Sequence, residues 1–287
     1  MTKYVGVIGH PLKRSLSPVF QQAALDHLGL DIRYEAWPTP EDRLAERVGG
    51  LRAPDRLGAN VTIPHKQAAL YLLDGSDDLC RRVGAVNTIV HREGKLYGHN
   101  TDVAGFLRAL REDGGFDPAG VRVLVAGAGG AARAVAVALI DAGAASVTFI
   151  NRTFSRAAEL VEEIGPQAGG TELNALPDVY ASWRASAISC RLLINCTSVG
   201  MAGTKEEKGS PVPNELIPPD ALVFDLIYRP AKTPLMAAAE KRGASVLGGL
   251  PMLIYQGAES FHLWTGLEAP LEVMFKVARA GLGMKEE

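Results

Sequence analysis

The stretch Val121–Arg133, VRVLVAGAGGAAR, decides the fold of this chain. VRVLVA has the apolar, β-branched make-up of a strand covered on both faces. Gly127, Gly129 and Ala132 then fall on the pattern G-x-G-x-x-A, and an alanine-rich helix is predicted over Ala131–Asp141, ended by Gly143. In that strand-to-helix setting each small residue has a physical task. Gly127 permits the tight turn, Gly129 lets the backbone approach a pyrophosphate, and Ala132 lets the helix pack close to the strand. The helix N-terminus adds N–H donors and partial positive charge. A plain glycine turn is the simpler alternative; the flanking strand and helix favour a dinucleotide loop of Gly127, Ala128, Gly129, Gly130 and Ala131.

Downstream the alternation continues with strand Ser146–Asn151, helix Phe154–Ile164 and strands Leu192–Cys196, Leu222–Leu226 and Ala244–Leu247. Repeated β-α-β-α with apolar strands predicts a doubly wound parallel sheet. Two helices, Met252–Thr265 and Leu271–Leu282, close the chain. Upstream, helix Thr101–Glu112 leads into a linker at Gly114-Gly115 and Pro118. Before it the strands are Lys3–Ile8, Ile32–Trp37 and Ala59–Ile63, with a hairpin of Asn87–His91 and Lys95–Tyr97. The helices between them are Ser17–Leu28, with Ser17 as N-cap and Pro18 as first helical residue, Thr39–Val48, Gln67–Leu73 and Asp77–Val83. The reading is α/β in two domains.

Length and charge agree. At 287 residues the chain exceeds one ordinary core. Lys+Arg 30 against Asp+Glu 32 leaves a net −2, which gives no electrostatic reason to expect nucleic acid or an anionic membrane. Cys80, Cys190 and Cys196 form no Cys-x-x-Cys pair, so neither a disulfide framework nor a zinc knuckle is expected, and no metal site. No apolar run reaches membrane-spanning length, and the N-terminus lacks a signal-peptide pattern. The expected location is the cytoplasm.

The end of the second strand of the nucleotide domain chooses between cofactors. An NAD site places Asp or Glu there, about 20 residues after the glycine loop, for the ribose hydroxyl. This chain has Asn151-Arg152-Thr153, with Arg156 one turn later. Two guanidiniums suit a 2′-phosphate, so NADP is favoured over NAD, and S-adenosylmethionine is disfavoured for want of the acid. The alternative for both arginines is a solvated helix start.

The first domain holds the polar residues that chemistry would need. Ser15-Leu-Ser17-Pro18 brings two hydroxyls to a helix start, a natural carboxylate site. Lys66 lies just past a strand in NVTIPHK, and Asp102 lies in NTD at a helix start. Taken singly, Lys66 reads as a surface lysine and Asp102 as a helix cap. Taken together, SLSP, NVTIPHK, GAVNT, GHNTD, GAGGAAR, NRT, NCTSVGM, DLIYRP and QGAESF resemble the shikimate dehydrogenase family, from residue 15 to residue 261.

That resemblance implies reduction of 3-dehydroshikimate to shikimate with NADPH, in aromatic amino-acid (chorismate) biosynthesis. It implies an N-terminal substrate-binding and catalytic domain over 1–104, a Rossmann-type NADP domain over 105–246, and C-terminal helices over 247–287 that return to the first domain. Lys66 and Asp102 would be the catalytic pair. Ser15 and Ser17 would hold the substrate carboxylate; Thr62, Asn87 and Gln256 would bind ring hydroxyls, and Tyr228 would line the same pocket. Asn151, Arg152, Thr153 and Arg156 match the adenosine-phosphate segment. Thr197, Ser198, Val199, Gly200, Met201, Ile227, Gly249 and Met252 would lie along the nicotinamide. Expected partners are the small-molecule substrate and, at most, a second copy in a homodimer. Other readings are a quinate/shikimate dehydrogenase of the same family, often NAD-dependent, and a non-catalytic NADP-binding sensor. Tyr255, Gly257 and the segment Ser182–Arg191 depart from the family pattern; the last is read as peripheral, the first two as able to alter cleft closure.

Overall fold

A computed structural model of the chain describes residues 1–12 and 15–284. The chain divides into two compact units, Met1–Gly105 with Ile254–Glu287, and Phe106–Leu253.

The first unit is built on a six-stranded mixed sheet. Its strands are β1 (Lys3–Gly9), β2 (Ile32–Pro38), β3 (Gly58–Val61), β4 (Gly75–Ser76), β5 (Thr88–Arg92) and β6 (Lys95–His99). Their spatial order is β2-β1-β3-β5-β6-β4. β1 pairs parallel with β2 and β3, whereas β5 runs antiparallel to β3 and to β6. The helices are α1 (Ser17–His27), α2 (Leu44–Gly49), α3 (Lys66–Leu70), α4 (Asp78–Val83) and α5 (Asp102–Arg108). Ile8, Trp37, Val48, Leu51, Val61 and Ile89 are buried in its core.

The second unit has β7 (Arg122–Ala126), α6 (Gly130–Asp141), β8 (Ser146–Asn151), α7 (Phe154–Ile164), β9 (Glu172–Pro177), α8 (Tyr180–Ala187), β10 (Leu192–Asn195), β11 (Leu222–Asp225), α9 (Pro234–Lys241) and β12 (Ser245–Leu247). Every pairing is parallel, in the order β12-β11-β10-β7-β8-β9. This is the doubly wound arrangement, with the strand order reversing between β7 and β10. β10 and β11 are buried at all four positions, as central parallel strands must be. Helix α10 (Leu250–Thr265) runs into the first unit and α11 (Leu271–Gly281) completes it; α11 packs on α1.

Several local readings are corrected. Ser17 is the first residue of α1, not its N-cap: Leu16 holds that position with no side-chain cap, and the Ser17 N–H bonds instead to Ser15 Oγ at 3.3 Å. The Thr39–Val48 helix begins as a 3₁₀ turn at Glu41 and becomes α-helical at Leu44, because extended Pro40 delays it. The Thr101–Glu112 helix changes to a π-helical stretch over Ala109–Asp113. Strand β9 and helices α8 and α9 complete the second unit. Within the segment Ser182–Arg191 two side chains, Trp183 and Cys190, are 3% exposed and belong to the core of the second unit, while the others are exposed or half-buried.

Candidate active site

Topology gathers the polar residues of the first unit at one end of its sheet. β1, β3 and β6 finish there and the antiparallel β5 starts there. Ser15 and Ser17 follow β1, Thr62 and Lys66 follow β3, Asn87 precedes β5, and Asp102 follows β6. Lys66 and Asp102 are each the first residue of a helix, α3 and α5, so their backbones are fixed where their side chains converge.

Lys66 Nζ lies 2.5 Å from Asp102 Oδ2, and their side chains are only 16% and 6% exposed. A pair so shielded interacts far more strongly than a surface ion pair. The other carboxylate oxygen of Asp102 accepts from Asn87 Nδ2 at 2.9 Å. The same amide donates to Thr101 Oγ1 at 2.8 Å and to Gln256 Oε1 at 3.2 Å. Asn87 Oδ1 accepts from the Thr101 N–H at 2.8 Å, so the orientation of this amide is determined at both ends. Lys66, Asp102, Asn87 and Gln256 therefore form one cluster. Thr62 is half-buried at the turn before α3, its carbonyl accepting from the His65 N–H.

Below the cluster lies a buried polar layer that sequence reasoning missed. Asn60 Nδ2 donates to Ser260 Oγ at 2.9 Å and its Oδ1 accepts from Tyr34 at 2.8 Å. Ser260 also sits 2.7 Å from Thr88 Oγ1. The Tyr34 hydroxyl reaches the Ser17 side chain. Burial pushes the Tyr34 phenol well above its ordinary range, so it stays a neutral donor. Asn60 and Ser260 fall within NVTIPHK and QGAESF, so the signal for them was present. His65, given no role from sequence, is 1% exposed and bonds the Thr39 carbonyl at 2.6 Å, a structural contact.

In the second unit the expected residues line the C-terminal edge of the sheet around the reversal between β7 and β10, where open α/β sheets bind ligands. Gly127 has φ +106, and a Cβ on it would meet Thr197 Cγ2 at 3.0 Å and the Cys196 backbone at 3.2 Å. The glycine loop thus lies directly on the Thr197 loop. Gly129 differs: its φ is −93° and a Cβ there would meet nothing within 4 Å. Neither strain nor packing within the unit calls for glycine at 129, whereas close approach of a pyrophosphate would. Gly130 and Ala131 begin α6, while Ala132 is fully buried against the sheet.

Asn151 ends β8 and its Nδ2 bonds the Thr153 carbonyl at 2.7 Å. Arg152 is exposed and pairs with Glu206 at 3.2 Å, a partner not anticipated from sequence. Arg156 is exposed in the first turn of α7. Ser198 is exposed, Val199 and Met201 half-buried, and Gly200 buried in the loop after β10. Ile227 is buried and its carbonyl accepts from the Gly249 N–H at 3.1 Å; Met252 follows at the start of α10. Tyr228 belongs to this second unit, half-buried beside Ile227.

The thiols are disfavoured as nucleophiles. All three cysteines are free, and burial holds the Cys80 and Cys190 thiols up at about 12, and that of Cys196 up as well. Among the described residues no group of three or more His, Cys, Asp or Glu side chains is placed to hold a metal ion. No described helix is long and apolar enough to cross a membrane.

Comparison with known proteins fits this geometry. Residues 7–89 match the family described as the shikimate dehydrogenase substrate binding domain. Residues 112–196 match shikimate / quinate 5-dehydrogenase, and 249–279 the shikimate 5'-dehydrogenase C-terminal domain. The chain belongs to the shikimate dehydrogenase family. It is 46% identical over 286 residues to a shikimate dehydrogenase (NADP(+)) from Moorella thermoacetica, covering 98% of this chain and 94% of that protein. A shikimate 5-dehydrogenase from Thermus thermophilus, solved with NADP(H) and shikimate, superposes with a TM-score of 0.85 at 43% identity, covering 98% of this chain and all of that one. A quinate dehydrogenase from Corynebacterium glutamicum, solved with NAD, gives a TM-score of 0.87 at 29% identity over 97% of this chain and 99% of its own. The first unit is thus of the substrate-domain type and the second is a Rossmann-type NADP-binding domain, with the C-terminal helices returning to the first.

Proposed function

We propose that this chain reduces 3-dehydroshikimate to shikimate with NADPH, and catalyses the reverse oxidation, with Lys66 and Asp102 as the catalytic pair. The observation that carries the proposal is the shielded Lys66–Asp102 contact of 2.5 Å, joined through Asn87 to Gln256 on a substrate domain of this family. Relatives named as NADP-dependent shikimate dehydrogenases, and the Thermus structure holding NADP(H) and shikimate, support the choice of substrate and cofactor.

NADPH supplies the hydride that reduces the ketone carbon. The ketone oxygen then needs a proton, and the Lys66 ammonium donates it while stabilising the developing charge. Asp102 aims the Lys66 side chain through Oδ2, while Oδ1 is held by Asn87. In the oxidation the Lys66 amine takes the hydroxyl proton. Ser15 and Ser17 bind the substrate carboxylate, Thr62, Asn87 and Gln256 bind the ring hydroxyls, and Tyr228 lines the substrate pocket. Gly127 to Ala131 cradle the pyrophosphate, Asn151, Arg152, Thr153 and Arg156 hold the adenosine 2′-phosphate, and Thr197 to Met201, Ile227, Gly249 and Met252 border the nicotinamide. The free cysteines support a reducing compartment, the cytoplasm. Sedimentation velocity distinguishes a monomer from a homodimer.

The test is steady-state formation of NADPH from NADP with shikimate, with quinate as the competing substrate. Turnover of shikimate is expected. Turnover of quinate alone would move the chain to the quinate-using branch, and no turnover of either would leave an NADP-binding protein without this activity.

A further inference from the structure

Asn195 and Asp225 are neighbours across β10 and β11, the last residue of each strand, and both are completely buried. Asp225 Oδ1 accepts from Asn195 Nδ2 at 2.9 Å and from the Ile227 N–H at 3.1 Å, and Oδ2 accepts from Thr233 Oγ1 at 2.6 Å. These donors are all neutral. Burial drives the Asp225 carboxyl up to about 6, so this side chain ionises at a cost to stability at neutral pH. A fold needing only a filler at the end of β11 would be served better by a neutral residue. Buried carboxylates of this kind concentrate where a site has to be held in one arrangement.

What the carboxylate fixes can be traced atom by atom. An ionised carboxylate only accepts, so it forces the NH₂ end of the Asn195 amide toward itself. The oxygen end of Asn195 is thereby turned outward, where it accepts from the Thr197 N–H at 2.9 Å and from Thr197 Oγ1 at 2.7 Å. Thr197 Oγ1 in turn accepts from the Val199 N–H at 3.1 Å, and Asn195 Nδ2 donates to the Val199 carbonyl at 3.2 Å. Thr197 is the residue against which Gly127 of the glycine loop lies. On its other side Asp225 holds Ile227, whose carbonyl holds Gly249. One buried charge therefore sets the orientation of the amide, the amide shapes the loop after β10, and that loop supports the glycine loop.

We propose that Asp225, acting through Asn195, is a positioning residue for the dinucleotide: the pair sets the Thr197–Met201 loop and Ile227 in the conformation that binds the cofactor. This rests on the cofactor reading given above. Neither residue touches the reacting atoms in this proposal, so the effect belongs to cofactor affinity rather than to the proton transfer in the first unit.

The experiment measures NADPH affinity directly, by fluorescence titration, alongside steady-state kinetics with shikimate, for wild type, Asp225→Asn, Asn195→Ser and the double variant. Thermal melts identify which are folded at the assay temperature. Each single variant should weaken NADPH roughly 5- to 30-fold, as for loss of a buried hydrogen-bonded contact, while kcat and the KM for shikimate stay within about threefold. The double variant should be no weaker than the worse single variant, because both interrupt one relay. If Asp225→Asn does not fold, Asn195→Ser carries the same comparison. A wild type that does not bind NADPH overturns the cofactor reading itself. A wild type that binds, with folded variants binding equally well or losing kcat instead of affinity, overturns the positioning role alone.

Discussion

The Lys66 ammonium and the Asn87 amide grip opposite oxygens of the Asp102 carboxylate, at 2.5 and 2.9 Å. The carboxylate is therefore oriented by one cation and one neutral donor, and Lys66 is aimed by a partner that cannot rotate away. Lys66→Ala should lower kcat by roughly 10²- to 10⁴-fold, the range for loss of a general acid–base group, with a smaller change in the KM for shikimate. Asp102→Asn should also act mainly on kcat. Steady-state kinetics read the split, and a Lys66→Ala enzyme with near-normal kcat would remove Lys66 from the proton transfer.

The two serines after β1 are expected to act on substrate binding only. Ser15→Ala and Ser17→Ala should each raise the KM for shikimate, by about 1.5–3 kcal/mol for a hydrogen bond to a charged group. Ser17 is 8% exposed and is tied to Tyr34, so its replacement should carry the larger stability change of the two. The KM for NADP should not move, since both serines lie in the first unit. A rise in the KM for NADP with shikimate unaffected would reverse the assignment of ligands to units.

Gly257 has a packing reason in the first unit. A Cβ there would lie 2.6 Å from Phe20 Cε2 and 2.9 Å from Phe20 Cζ, and Phe20 is fully buried. Gly257→Ala gains about 1 kcal/mol of helix propensity in α10 but overpacks the contact with α1 at a cost of about 1–3 kcal/mol. The second effect should win, lowering the melting temperature by roughly 2–4 °C with kcat little changed. An unchanged or higher melting temperature would mean that the Phe20 ring can yield.

Much of this molecule was legible in its sequence, for identifiable reasons. β7, β10 and β11 are short apolar runs buried on both faces, and α7 buries Ala157, Leu160 and Ile164 on one stripe, so periodicity located them. β9 was missed because its residues are half-exposed at the sheet edge, which leaves no apolar pattern to read. α8 was missed because it buries Trp183 and little else. α9 carried a readable signal, Thr233 before Pro234, and Thr233 Oγ1 does cap the Met236 N–H. In the site, motifs located the residues that would face ligands. Behind them lie Tyr34 and Ser260 in the first unit and Asn195 and Asp225 in the second; the last three fall within QGAESF, NCTSVGM and DLIYRP, but what each side chain bonds is set by contacts between distant segments that the motifs do not report. A lone polar residue closing a buried strand, as in LLIN and LVFD, was a further hint for Asn195 and Asp225.

Asp225 should make stability depend on pH in a definite sense. Its carboxyl is raised from 3.8 to about 6 by burial, so between those values the folded state holds a proton that the unfolded state has released. The stability it contributes is complete below about pH 3.8 and is lost as pH rises through about 6. Relative to Asp225→Asn, the wild type should therefore lose on the order of 3 kcal/mol between pH 4 and pH 7. Comparing denaturant unfolding of the two proteins across that range cancels the groups they share. A difference that stays flat, or that moves in favour of the wild type as pH rises, would contradict the assignment.

Cofactor choice is the last expectation. Arg152 stands at the end of β8, where an NAD site would place an acid, and Arg156 follows in α7. Arg152 is paired with Glu206, but their side chains are 81% and 46% exposed, and an ion pair so exposed is weak. A 2′-phosphate, with up to two negative charges and three acceptor oxygens, should displace Glu206 from the guanidinium. Two charge-assisted contacts are worth about 3 kcal/mol together, so NADP should exceed NAD in kcat/KM by at least roughly 10²-fold. Neutral replacements at both arginines should erase most of that gap by weakening NADP, with NAD use little changed. Raised ionic strength should weaken NADP more than NAD, because exposed guanidiniums are screened. Kinetics with both cofactors, for wild type and the double variant, measure each of these effects. Equal use of NAD and NADP by the wild type would remove the phosphate clamp and favour the quinate-using, NAD-dependent branch of the family.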